Sequence, residues 1–354
     1  MILLNPGPVN VSPRVTAALA RGDLCHREPE YGLLQAAIRR RLVEAFAPGG
    51  GFTAVLVTGS GTAALEAAVG SVLSERGRLV VVSNGVYGER IAAMAQAARL
   101  PHVVVQSAWT EPPDLGAVDE ALRQPDVEAI AGVHHETTTG LLNPVADVGR
   151  VAHARGKLVL VDSVSGLAGD ALDVAAADLV VGTGGKCIQA FPGLGFVLVR
   201  SDAMARIATH PRRSLYLSLA VHHEAQERGT VPFTPAVQLA YALDEALCEL
   251  LEETVPGRIR RYAAAAGLLR DGFSRLGLEC ILPSALRSNS ITSLWLPPGR
   301  SYAALHDALK ARGFVIYEGQ GRLAREIFRV ANMGQLERRD FERFLGALGD
   351  VLAS

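Results

Sequence analysis

Between Phe52 and Arg200 short apolar runs alternate with segments of helical period. The runs Ala54–Thr58, Leu79–Ser83, His102–Gln106, Ala129–Val133, Lys157–Val161, Leu179–Gly182 and Gly195–Val199 read as strands. Thr62–Glu75, Glu89–Arg99, Asp114–Arg123 and Val145–Ala154 read as helices, several opening after Gly, Pro or Asp. This alternation predicts an α/β fold: a mostly parallel seven-stranded sheet with helices on both faces, whose Ala-rich sides suit close packing. Val255-Pro-Gly257 interrupts the pattern. Beyond it come a long Arg- and Ala-rich helix, a short strand set around Ser290–Leu296, and helices near Tyr302–Arg312 and Glu337–Leu352. The expected division is therefore an N-terminal segment and large domain over 1–254 and a smaller α+β domain over 255–354, with residues 1–15 packed near the latter. No internal repeat or low-complexity stretch interrupts this plan.

Composition narrows the function. With 354 residues, 49% of them hydrophobic, the chain can bury a large core. Its 35 basic and 36 acidic residues give a net charge of -1, so no global field draws it to nucleic acid or to an anionic membrane, and small molecules are the expected partners. The N-terminus has no signal-peptide pattern and no apolar run approaches the ~20 residues of a membrane span, which points to the cytoplasm. Four scattered cysteines, Cys25, Cys187, Cys248 and Cys280, suit reduced thiols.

In open α/β sheets ligands gather at the carboxyl ends of the strands. The loops there are Gly59-Ser-Gly-Thr62, Asn84-Gly-Val-Tyr-Gly88, His134–Gly140, Asp162-Ser-Val164 and Gly182-Thr-Gly-Gly-Lys186. The first follows a strand and opens a helix, which makes it an anion site suited to phosphate. It also fits a dinucleotide fingerprint, but Ser83-Asn84 stands where the ribose-binding acid should be. "GTGGKC" around Lys186 is not a P-loop, because Val180 and Cys187 occupy the positions of the required Gly and Ser/Thr. Asp162 ends an apolar strand 24 residues before Lys186, so the two stand at the ends of nearby strands. A phosphate cradle, a carboxylate and an amine together match pyridoxal phosphate, with Tyr87 available to stack on the ring. The pairs His134-His135 and His222-His223 lack a completing ligand cluster, so no metal is expected. Arg212-Arg213 reads as solvated, with a dianionic substrate as its other possible partner.

The stretches "LLNPGPVNVSPRV", "GSGTAALEA", "VSNGVYGER", "HHETTTGLLNP", "VDSVSG", "GKCIQAFPGLGFVL", "GFVIYEG" and "FRVANMG" run in this order nearly end to end. In them the chain resembles the class V, fold-type-I pyridoxal-phosphate aminotransferases. The resemblance implies Lys186 as the Schiff-base lysine, Asp162 as partner of the pyridine nitrogen, and Tyr87 stacked on one ring face with Val164 under the other. It implies Ser60, Gly61 and Thr62 at the phosphate and Thr137 near the phenolic oxygen. Relatives commonly carry Asn or Gln where this chain has Gly185, so Thr183 or a water takes that contact. Thr234 corresponds to a residue that reaches the phosphate of the neighbouring subunit, which implies a homodimer. Arg329 corresponds to the arginine that grips the substrate's acidic group, a task its bidentate fork suits. The implied activity is amino transfer from a small amine donor to a keto acid. The resemblance is strongest to members that use 2-aminoethylphosphonate and pyruvate. The alternatives are alanine or serine with glyoxylate or pyruvate and, more distantly, a lyase or desulfurase.

Overall fold

The structure, a computed structural model, describes residues 1–353. Seven strands form the central sheet: β1 (Phe52–Thr58), β2 (Arg78–Ser83), β3 (His102–Gln106), β4 (Val127–Val133), β5 (Leu158–Asp162), β6 (Leu179–Thr183) and β7 (Leu194–Arg200). Their spatial order is β1-β7-β6-β5-β4-β2-β3, and only β7 runs antiparallel to its neighbours. The strands are apolar on both sides because both faces are covered. On β1, Ala54 and Leu56 belong to one core cluster and Val55 and Val57 to another. The first cluster includes α1 (Pro29–Phe46), α4 (Leu115–Leu122), α5 (Val145–His153) and α6 (Val237–Glu253). The second includes α2 (Gly61–Ser71) and α3 (Val86–Ala97). The sheet is thus seven-stranded, mixed and mostly parallel, as the strand–helix alternation predicts.

Val255-Pro-Gly257 does not break a helix. It opens one, α7 (Val255–Arg275), because proline is tolerated in a first turn, and the Thr254 side chain accepts from Gly257 N. The C-terminal layer adds a three-stranded antiparallel sheet of β8 (Ile291–Trp295), β9 (Tyr317–Glu318) and β10 (Ile327–Ala331), with β10 central. A third core cluster fills this layer, with Phe273, Phe328, Phe344 and, from the N-terminus, Leu4. Ile2 and Leu3 pair in parallel with Phe314 and Val315, so the two ends of the sequence are joined beside the sheet. No helix among the described residues is long and apolar enough to cross a membrane.

Candidate active site

Six of the seven strands point the same way, so the loops after β1, β2, β4, β5 and β6 meet at one edge. Asp162 is the last residue of β5 and lies opposite Val181 of β6, and Lys186 follows β6 by three residues. Asp162 is 5% exposed; its Oδ1 accepts from Val164 N at 3.0 Å, and burial pushes its carboxyl up to about 6. Among the described residues nothing bonds Oδ2. Burial is also the main reason the Lys186 amine is pushed down to about 8, with Arg329 and Arg90 adding to the effect and Asp162 opposing it. The Lys186 ammonium donates to the carbonyl of Pro6, so the N-terminal segment covers it.

The turn that carries Lys186 is bolted to the C-terminal layer. Gln189 donates to Tyr262 Oη and to Gly334 O, each at 2.7 Å, and Arg258 donates to Cys187 O at 2.9 Å. Gly185 has a local reason to be glycine: a Cβ there would stand 2.9 Å from Pro192 Cα, against backbone that cannot yield. The amide that relatives carry at this position has no room here. Gly185→Asn is expected to lower the melting temperature by several degrees, an overpacking cost of about 1–3 kcal/mol, measured by thermal unfolding.

Ser60 precedes the first turn of α2 with its hydroxyl capping nothing, and the N–H groups of Gly61 and Thr62 have no partner among the described residues. An anion placed there meets free donors and the positive end of the helix. The Val164 side chain, two residues after Asp162, lies against Gly61, 2.7 Å from where a Cβ would stand. Thr137 Oγ1 is buried without a hydrogen-bond partner, a state that calls for a ligand or water.

Tyr87 lies in the first turn of α3 with the Arg90 guanidinium 4.5 Å from its ring centre. Glu136 holds this turn against the loop after β4. Its carboxylate accepts from Tyr87 N (3.2 Å), Gly88 N (3.3 Å), Thr138 N (3.1 Å) and Thr138 Oγ1 (2.6 Å). Burial pushes the Glu136 carboxyl up, while these four donors favour the ionised form, as a helix N-terminus does. Neither Glu136 nor Arg90 stands out in sequence; the only signal was position, Glu136 inside the rim loop His134–Gly140 and Arg90 two residues beyond the loop that ends at Gly88.

Arg329 comes from β10 and is 0% exposed. Its Nε and Nη2 donate to Glu318 O (2.9 and 2.7 Å), and Nη1 donates to Thr137 O (2.8 Å) and Gln320 Oε1 (3.2 Å). Every acceptor is uncharged, and burial pushes the guanidinium pKa down.

Other candidates are already engaged or lie away from the rim. Thr183 donates its hydroxyl to Leu194 O at 3.0 Å, so that proton is already committed. Thr234 is exposed, and its neighbour Phe233 packs on Tyr216. Arg213 is committed to the end of α2 through Gly70 O, Leu73 O and Ser74 O, whereas Arg212 is exposed and only loosely paired with Glu224, at 3.8 Å. His222 and His223 lie on a helix, Leu219–Glu227, and not on a strand. His134 and His135 are buried, which pushes their imidazoles down to about 4 and about 3. Among the described residues no cluster of three metal-ligating side chains occurs.

A family model described as Aminotransferase class-V matches residues 35–320. The chain is 38% identical over 359 residues to the 2-aminoethylphosphonate--pyruvate transaminase of Syntrophobacter fumaroxidans, a match covering 99% of this chain and 96% of that protein. Among solved structures it is similar to the subgroup IV aspartate aminotransferase from Thermus thermophilus, with a TM-score of 0.91, 30% identity, and 100% of this chain and 99% of that one covered. It is likewise similar to the pyridoxamine-pyruvate aminotransferase from Mesorhizobium loti, with a TM-score of 0.92, 28% identity, and 100% and 92% covered. The fold is that of the fold-type-I aminotransferases, and the chain belongs to the class V aminotransferases, a family that implies pyridoxal phosphate as cofactor.

Proposed function

We propose that the protein moves the amino group of 2-aminoethylphosphonate to pyruvate, giving phosphonoacetaldehyde and L-alanine, with pyridoxal phosphate held at the strand-end rim. The observation that carries this reading is the convergence of Asp162, Lys186 and the unpartnered first turn of α2 at one sheet edge. The residues present fit the cofactor. Ser60, Gly61 and Thr62 offer free donors to its phosphate, the buried Thr137 hydroxyl lacks a partner, and Asp162 Oδ2 is free to face a protonated ring nitrogen. Tyr87 and Val164 would flank its ring, and Thr183, which also lies near Gly61, would stand beside it.

When bound, pyridoxal phosphate supplies the electron sink that lets a proton leave the carbon bearing the amine. Lys186 anchors the cofactor and, once displaced by the incoming amine, moves that proton; an amine pKa near 8 suits a base working near neutrality. Asp162 keeps the ring nitrogen charged. Arg329, whose present acceptors are all uncharged, is the residue to take the substrate's acidic group once one of them yields, because a guanidinium fork matches phosphonate or carboxylate.

The protein works as a homodimer in which Thr234 completes the partner's phosphate cradle. Its exposure supports this, as does the apolar surface beside it, where Leu215 is 80% and Tyr216 is 37% exposed. Four free cysteines fit a cytoplasmic setting.

The test is a single half-reaction. Adding 2-aminoethylphosphonate to the cofactor-loaded protein without acceptor is expected to bleach the lysine-bound cofactor and release one equivalent of phosphonoacetaldehyde. No response to that amine, with bleaching by serine or alanine, rejects the proposal in favour of an amino acid:glyoxylate or pyruvate transaminase.

A further inference from the structure

Arg329 cannot meet a substrate in the state described. It is 0% exposed, and four of its five N–H donors are taken by Glu318 O, which accepts two, Thr137 O and Gln320 Oε1. A buried cation held only by uncharged oxygens is costly and is a standing site for an anion. Three of the four bonds go to backbone carbonyls, of Glu318 in β9 and of Thr137 in the loop braced by Glu136. The Gln320 amide oxygen is the one acceptor that a side-chain rotation can remove.

Gln320 sits on a flap. The Gly321–Leu323 turn follows it and docks on the large sheet's side of the rim. The Arg322 guanidinium stacks 4.1 Å from the Trp109 ring centre, and Gly321 approaches so closely that a Cβ would stand 2.6 Å from Trp109 Cη2. Trp109 is itself held by Nε1 donating to Glu89 at 3.2 Å. The flap is therefore held by the Arg322 stack and the close approach of Gly321 on Trp109 at its tip, and by the Arg329–Gln320 hydrogen bond at its root.

We propose that Gln320 is the specificity-determining residue for the substrate's acidic group. Its amide oxygen holds the place of one substrate oxygen on Arg329. When the substrate arrives, the amide rotates away and its NH₂ donates to the oxygen that the arginine leaves uncovered. A carboxylate has two oxygens and is satisfied by the guanidinium alone; a phosphonate has a third, which needs this donor. The inference rests on Arg329 as the acid-binding residue.

The experiment compares ethylphosphonate and propionate, which lack the amine, as dead-end inhibitors of the cofactor-loaded protein, with KM and kcat for 2-aminoethylphosphonate alongside. Gln320→Ala is expected to weaken ethylphosphonate about tenfold, the effect of losing one hydrogen bond to a charged group, while propionate binding holds or improves and kcat holds. Gln320→Glu is expected to weaken both, the phosphonate more, because the new carboxylate competes for Arg329 and repels the higher charge. Arg322→Ala loosens the flap without touching the amide and is expected to shift both inhibitors by the same factor. Equal shifts of the two inhibitors in Gln320→Ala, or none, overturn the proposal. Arg329→Gln separates the two readings: if it leaves ethylphosphonate binding unchanged, the assignment of Arg329 itself fails. If it abolishes binding while Gln320→Ala does not discriminate, only the role of Gln320 fails.

Discussion

Lys186→Ala is expected to lower amino transfer by at least about 10⁴-fold, the upper range for removing a positioned proton-transfer group, and to leave the chain unlabelled after borohydride reduction in the presence of pyridoxal phosphate. In the wild-type chain the label is expected on Lys186 alone, as peptide mapping would show. A mapped label on any other lysine defeats the assignment. The pH behaviour follows from the environment of the amine. Burial holds it down to about 8, so the amine is protonated below that pH and a free nucleophile above it. Its capture of pyridoxal phosphate by the unloaded protein should speed up tenfold per unit up to about 8 and then level off. An exposed lysine would keep accelerating to about 10.4. Stopped-flow absorbance across this range distinguishes the two.

Asp162→Asn is expected to produce opposite effects on activity and stability. The amide can still accept from Val164 N, but it cannot balance a charged ring nitrogen. Removing one partner of a buried charge pair costs roughly 3–5 kcal/mol, which is about 10²–10⁴ in rate if felt in the transition state. Steady-state kcat measures it. In the unloaded protein the same carboxyl is a burden. Its pKa is raised to about 6 in the folded chain against about 3.9 unfolded, so the native state binds the proton more tightly. Stability is therefore lost as pH rises from about 4 through 6, and the full penalty, up to about 2–3 kcal/mol, is present above that. Unloaded Asp162→Asn should melt a few degrees higher than wild type at pH 7.5, with the gap closing below pH 4. A lower melting temperature for the variant at pH 7.5 would contradict this account.

The sheet was legible because its strands are buried on both faces, which leaves near-continuous apolar runs with little else to be. The ends of elements were less so. Lys157–Val161 is in fact Leu158–Asp162, and Asp162 is inside the strand, which is what aims its carboxylate at the rim. Val255-Pro-Gly257 lies in the first turn of the long helix expected beyond it, because proline stops a helix in its middle but is tolerated at its start. The rim loops could be found from topology alone, since strand direction dictates which ends converge. The contacts among them could not. Glu136 meets Tyr87 across 49 positions, and Arg329 meets Thr137 across 192. No local pattern encodes such distances. Gln320 and Pro6 act through an amide and a carbonyl, groups that a reading by reactive residue type passes over.

The pairing of Ile2 and Leu3 with Phe314 and Val315 sets an order of assembly. All seven strands of the central sheet lie before Ser201, but the core that covers one of its faces also draws on α6, Tyr262 and Met333. Residues 2 and 3 must wait for their partner strand, and Pro6, the cover over Lys186, waits with them. The turn that carries Lys186 depends on the same layer, through Gln189 to Tyr262 and Gly334 and through Arg258 to Cys187, so the lysine and its cover are set in place together.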